Sequence, residues 1–139
     1  MTPAMGAART ALEREIPSRL EEVDELCRQI RALLHDQGLG EVSFPVELAA
    51  RECLNNAVIH GNRGDASKKV ALNLQFRRKW ILLQVSDEGP GFDWRRAKRT
   101  PLPGDESTSG RGLSVLSLFA HRIAFNRRGN RVTLWLKRS

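Results

Sequence analysis

Three short stretches of this chain carry the residue types that chemistry uses, and each is bordered by glycine. The first is Arg51-Glu52-Cys53-Leu54-Asn55-Asn56-Ala57-Val58-Ile59-His60-Gly61. On a helix Glu52, Asn56 and His60 fall at i, i+4 and i+8, so a carboxylate, an amide and an imidazole share one face. Ala50, Leu54, Ala57 and Val58 form an apolar stripe on the opposite side, suited to packing on a sheet. The second stretch, Asp87-Glu88-Gly89-Pro90-Gly91-Phe92, puts an acid at a strand end, followed by two glycines that allow close backbone approach or positive φ. The third, Ser109-Gly110-Arg111-Gly112-Leu113, puts two glycines just before a predicted helix, where free backbone amides can seat a phosphate and Arg111 can add charge. Taken singly, each reads more readily as a plain turn or a solvated helix face. The third glycine of the dinucleotide fingerprint is absent, as are a Gly-Lys-Ser/Thr phosphate loop and a His-Arg-Asp kinase loop.

The elements that must position these residues follow from periodicity. A short strand is expected over 9–16. Ser18 with Glu21 reads as a capping box opening a helix whose apolar positions are Leu20, Val23, Leu26, Cys27, Ile30, Leu33 and Leu34. Gly38-Leu39-Gly40 stops it. Ser43 is the expected N-cap of a second helix, with Pro45 in its first turn, and that helix carries the first stretch to Gly61-Asn62-Arg63-Gly64. Val70, Leu72, Leu74 and Phe76, then Ile81, Leu83 and Val85, alternate as a hairpin turning at Arg77-Arg78-Lys79. Period two carries Asp87 onto the face of Leu83 and Val85, where a buried lone carboxylate is costly unless a ligand donates to it. The segment from Glu88 to Gly110 has loop character. A short helix at 113–120 and two strands near 122–127 and 131–137, turning at Arg128-Gly129-Asn130, complete the chain. This order implies a single α+β domain over 1–139, a two-layer sandwich with helices on one face of a mixed, mainly antiparallel sheet. Residues 1–8 are expected to be flexible.

Composition narrows the function classes. At 139 residues the chain can bury roughly two thirds of its unfolded surface as one domain. No apolar run approaches the ~20 residues of a membrane span, and the N-terminal sequence lacks a signal peptide's apolar core, so a cytoplasmic protein is expected. Cys27 and Cys53 lack paired spacing, and His35, His60 and His121 lack metal-ligand neighbours, which argues against a disulfide framework or a zinc site. The net charge of +7 is concentrated late: eleven Lys or Arg from Arg95 onward face only Asp105 and Glu106. Few aromatics interleave with them, so a nucleic-acid role rests on charge alone, and an electropositive lid or an acidic protein partner explains it equally well.

The order of the three motifs is more specific than any of them. A helix with Glu-x-x-x-Asn and a terminal His-Gly, then strand–Asp-x-Gly-x-Gly, then a long loop to Gly-x-Gly-helix, resembles the GHKL ATPase superfamily of gyrase, the MutL proteins and the histidine kinases, with its Bergerat fold. The wording of residues 52–61 and the small size resemble the anti-sigma factor serine/threonine kinases of the RsbW and SpoIIAB type. The likeness runs from the first strand to the last. It implies that Asn56 ligates Mg²⁺, that Glu52 is the general base for an incoming serine hydroxyl, and that Asp87 accepts a hydrogen bond from the adenine amino group of ATP. Gly89 and Gly91 would close on the base and ribose, while Gly110, Arg111, Gly112 and Leu113 would hold the phosphates under an ATP lid at 92–109. It further implies a STAS-domain anti-sigma factor antagonist as substrate, a sigma factor as possible ligand, and a homodimer. One departure stands out: the family often has Gly-Thr where this chain has Gly129-Asn130, so a threonine phosphate contact is not carried over.

For His60 a helix-end role outweighs catalysis; Arg63 and Lys68 suit a solvated turn; and Trp80, Trp94 and Trp135 suit packing. The rival to a serine kinase is a nucleotide-gated sequestering protein with little kinase activity, since pocket residues alone do not prove catalysis. A basic nucleic-acid binder is the third reading, and it would lose affinity steeply with salt.

Overall fold

The computed structural model describes residues 9–92 and 113–139. Strand β1 (Arg9–Pro17) leads into helix α1 (Leu20–Asp36), a 3₁₀ turn (Gly40–Val42) and helix α2 (Ser43–Asn56), which continues as a π-helical turn over Ala57–Gly61. Strands β2 (Lys69–Phe76) and β3 (Trp80–Asp87) form the expected hairpin. Helix α3 (Leu113–Phe119) and strands β4 (Arg122–Phe125) and β5 (Arg131–Lys137) follow. The sheet order is β1-β2-β3-β5-β4, and every described pairing is antiparallel. β2 with β3 and β4 with β5 pair through short turns, whereas β1 pairs with β2 across the two long helices and β3 with β5 across α3 and β4.

Register explains the core. Leu12, Leu74, Leu83 and Leu134 stand in one cross-strand row, and Leu72, Val85 and Val132 in the next. All of these are buried except the half-buried Val132. Val23, Leu26, Cys27, Ile30 and Leu34 of α1 and Val46, Ala49, Ala50, Cys53 and Leu54 of α2 cover that face. Removing a leucine from such a row typically costs about 2–5 kcal/mol. The other sheet face is polar: Gln75 donates to Asn73 and Gln84 to Thr133, while the Arg122 guanidinium lies 4.7 Å from the ring centre of Trp135.

Two capping expectations are corrected. Ser18 makes no capping bond to α1, whose N-cap is Arg19. Its hydroxyl donates instead to the Lys68 carbonyl at 2.8 Å and accepts from the Asn62 amide at 2.8 Å, a tertiary pairing that outcompetes the local one. Ser43 is the first residue of α2 rather than its N-cap, because its N–H is already taken by the Gly40 carbonyl of the preceding 3₁₀ turn. Gly38 does end α1 as expected, with Leu39 N–H returning to the Leu34 carbonyl at 2.7 Å.

α1 and α2 run antiparallel and are tied on the outside by alternating charges. Arg31 bonds both oxygens of Glu47 (2.8 and 2.6 Å), and Arg51 bonds Asp24 at 2.5 Å. Arg31 holds the Glu47 carboxyl below its ordinary range. The buried faces of α1 and α2 set the helix register, and these charge pairs lie along its outside.

Candidate functional site

The site forms where α2 ends over the C-terminal end of β3. Ala50, Leu54, Ala57 and Val58 are all buried against the sheet, as the stripe in the sequence predicts, while Glu52 and Asn56 are half-buried and His60 is exposed. After Asn56 the helix widens: Asn62 N–H bonds the Ala57 carbonyl at 2.8 Å, five residues back. π-turns of this kind recur at functional sites because they re-aim the following residues. Here the widening brings Gly61 against the carboxylate of Asp87; a Cβ on Gly61 would overlap Asp87 Cγ and both its oxygens.

Asp87 is half-buried rather than fully buried, and it has a partner within the protein: Gly89 N–H donates to its Oδ1 at 2.7 Å. The cost of a lone carboxylate is thus met partly by the turn that follows it. Gly89 is in turn packed on the Gly61 carbonyl, and Gly91, at φ 87°, on the Arg128 carbonyl. Any larger residue would collide with backbone at both places. The two glycines therefore let three segments of protein backbone meet.

Two asparagines hold this junction: Asn62, and Asn130, which the sequence marks only as the departure from the family's Gly-Thr. Asn62 is 1% exposed. Its Nδ2 donates to Ser18 Oγ and to the Lys69 carbonyl at 2.9 Å, and its Oδ1 accepts Glu88 N–H at 2.9 Å. Asn130 approaches from the β4–β5 turn. Its carbonyl accepts Asp87 N–H at 2.9 Å, and its side-chain amide faces the carbonyls of Asp87 and Gly89 at 3.4 and 3.3 Å. The available signal was each asparagine's place beside a glycine at a chain reversal.

Between these parts lies a cleft partly open to solvent. Asn56 and Asp87 both line it, with Cys53, Val85 and Leu116 among its apolar walls and Phe92, packed edge-on to Phe125 at 5.3 Å, at its rim. Asn130 and Arg131 line it as well, and a largely apolar slot with a carboxylate beside it fits a flat, weakly polar ring bearing a hydrogen-bond donor. Glu52, one turn before Asn56, is not part of the wall, and among the described residues its carboxylate makes no hydrogen bond or ion pair. Gly110, Arg111, Gly112 and all but the first residue of the expected lid lie outside the described residues, as does Trp94; Leu113 opens α3. The two thiols are free and buried, and burial, reinforced by the Glu52 carboxylate, pushes Cys53 up to about 12. Among the described residues no group of His, Cys, Asp and Glu could hold a metal, and no helix is long and apolar enough to cross a membrane.

The profile of the histidine kinase-like ATPase domain matches residues 16–137, nearly the whole of this architecture. The chain belongs to that family. Membership implies that this histidine kinase-like ATPase domain binds ATP. The serine/threonine-protein kinase BtrW of Bordetella bronchiseptica is 30% identical to it over 106 residues, which are 73% of this chain and 75% of the relative. The α+β sandwich with an antiparallel sheet expected from the sequence agrees with both.

Proposed function

We propose that this chain is an ATP-dependent protein serine kinase acting in partner switching. The observation that carries the reading is the meeting of Asn56 and Asp87 in one cleft, with an unengaged carboxylate, Glu52, one helical turn away. The relative's own name supports the choice of a serine or threonine acceptor.

In this reading Asp87, held by Gly89 N–H, accepts a hydrogen bond from the adenine amino group, and the apolar walls take the ring. Asn56 offers an amide oxygen, a hard donor suited to Mg²⁺, which would neutralise phosphate charge when bound. Glu52 takes the proton of an incoming serine hydroxyl as that oxygen bonds the γ-phosphorus and the bond to ADP breaks. The substrate proposed is a STAS-domain antagonist whose unphosphorylated form sequesters the kinase and frees a sigma factor. A homodimer belongs to the same proposal.

The test is thermal stability with ATP, ADP and GTP, followed by phosphate transfer to a STAS-domain serine. Stabilisation by the adenine nucleotides alone is expected, because binding to the native state must raise its stability. Glu52→Gln should keep that stabilisation and lose transfer; full transfer by this variant rules out the general-base role. A second reading, a nucleotide-gated sequestering protein, is favoured by Asn130, whose amide is spent inside the protein. ATP occupancy without labelling of a bound antagonist would select it.

A further inference from the structure

We propose that Asn130 is a positioning residue for the base pocket, and that the β4–β5 turn is a splint holding Asp87 at the angle that selects adenine. The inference rests on the reading of Asp87 as the base-recognising acid.

The turn is built by one side chain. Asn126 Oδ1 accepts three successive backbone amides, those of Gly129, Asn130 and Arg131, at 2.9, 3.0 and 3.1 Å. A turn closed in this way is rigid, since opening it orphans three donors at once. Asn126 Nδ2 then donates to Asn130 Oδ1 at 2.7 Å. That bond settles which way the Asn130 amide points: its Nδ2 must face the Asp87 and Gly89 carbonyls, because the flipped orientation would set NH₂ against NH₂ and oxygen against two oxygens. The two contacts to those carbonyls are long and individually weak. Their effect lies in bridging: with the 2.9 Å bond from Asp87 N–H to the Asn130 carbonyl, they hold both ends of the residue pair that aims the carboxylate.

The same turn is locked sterically to the loop it supports. Gly129, at φ 84°, lies against the backbone of Phe92, and Gly91 against that of Arg128. The 126–130 and 87–92 segments therefore move as one body. Asn62 completes the hold from the opposite side through Glu88 N–H. A hydroxyl at position 130 could serve a ligand directly; the asparagine here serves the carboxylate that would serve the ligand.

A positioning role makes a specific demand on energetics: removing Asn130 should matter only while Asp87 is there to be aimed. ADP affinity is measured by calorimetry for the whole chain and for Asn130→Ala, Asp87→Asn and the double variant. ADP leaves the γ-phosphate and acceptor out of the readout. Asn130→Ala keeps the backbone carbonyl that takes Asp87 N–H and removes only the two side-chain contacts, so it is expected to weaken ADP by about fivefold, the net worth of an ordinary neutral hydrogen bond. The double variant should bind ADP no more than about twofold weaker than Asp87→Asn alone, the signature of two residues acting through one another. Unchanged affinity in Asn130→Ala, or losses that multiply in the double variant, overturns the proposal. If Asp87→Asn leaves ADP affinity unchanged, the base-pocket reading falls and this inference with it. Normal loss in Asp87→Asn with none in Asn130→Ala removes the splint alone. Should Asn130→Ala not fold, Asn130→Gly, which is at home in turns and brings no hydroxyl to the cleft, takes its place with the same expectations.

Discussion

The Asp87 carboxylate lies flat against the Cα of Gly61, so that the last residue of the π-turn is the seat of the acid at the end of β3. Gly61 also presents its carbonyl to Gly89, two residues past Asp87. Helix α2 is thus joined to the strand end by a contact that only glycine permits on both sides.

Gly61→Ala should show the consequence. Alanine is ordinarily better than glycine in a helix by about 1 kcal/mol. Here the added methyl overlaps a carboxylate that is also held by Gly89 N–H, and overpacking of this kind costs about 1–3 kcal/mol. A lowered melting temperature is expected together with about tenfold or greater loss of ADP affinity, as the acid is pushed out of line. Gly64→Ala is the control: at φ 71° it is strained by ~1 kcal/mol, yet nothing lies within 4 Å of its Cβ. Equal loss of ADP affinity in both variants would disprove the contact's role.

Asn62 is the most connected buried polar side chain described. Asn62→Ala takes one of two partners from Ser18 Oγ and removes the bonds to the Lys69 carbonyl and Glu88 N–H, at an expected cost of about 2–4 kcal/mol. Asn62→Asp should be no better, because an oxygen would then face the Lys69 carbonyl and a Ser18 hydroxyl already committed to Lys68. Chemical denaturation measures both. If Asn62→Asp were as stable as the native chain, the assigned amide orientation would be wrong.

The outer charge pairs should behave differently. Glu47→Gln breaks the two bonds to Arg31 on a surface where such pairs are worth at most about 1 kcal/mol. Arg31 holds the Glu47 carboxyl below its ordinary value of 4.5, so its contribution is present above that value and lost as pH falls through the lower, folded one. The stability gap between native and Glu47→Gln proteins should therefore close as the pH drops below about 4.5. A gap that widens there would contradict the pairing.

What was legible in the sequence divides along physical lines. The alternation of Leu72, Leu74, Leu83 and Val85 and the helical stripe of Ala50, Leu54, Ala57 and Val58 gave the two layers, because burial imposes those periods. The capping roles of Ser18 and Ser43 failed, since a tertiary partner or a preceding 3₁₀ turn can take over what local sequence offers. Asn62, Asn126 and Asn130 went unread as site residues because their bonds span 26, 4 and 43 residues to partners that no local pattern names. Gly61 read as a helix stop, and its closeness to Asp87 needed the π-turn, which has no sequence signature of its own.

Cys53 sits in the wall of the cleft, and its titration offers a last check on how dry that wall is. Burial, then the Glu52 charge, raises the thiol from its ordinary 9.0 to about 12, and burial raises Cys27 to about 11. The folded chain thus keeps both protons where the unfolded chain has lost them. Below pH 9 the two states hold the same protons and the contribution is whole; as pH climbs from 9 toward 12 it is lost, and stability should decline. Cys53→Ala removes one of the two groups, so its melting temperature should fall less steeply between about pH 8 and about pH 10.5 than that of the native chain. Iodoacetamide at pH 8 should spare Cys53 in the folded protein and modify it in denaturant, since only the thiolate reacts. Rapid modification of the folded chain, with an alkaline limb unchanged by Cys53→Ala, would mean that water already occupies the cleft behind Asn56.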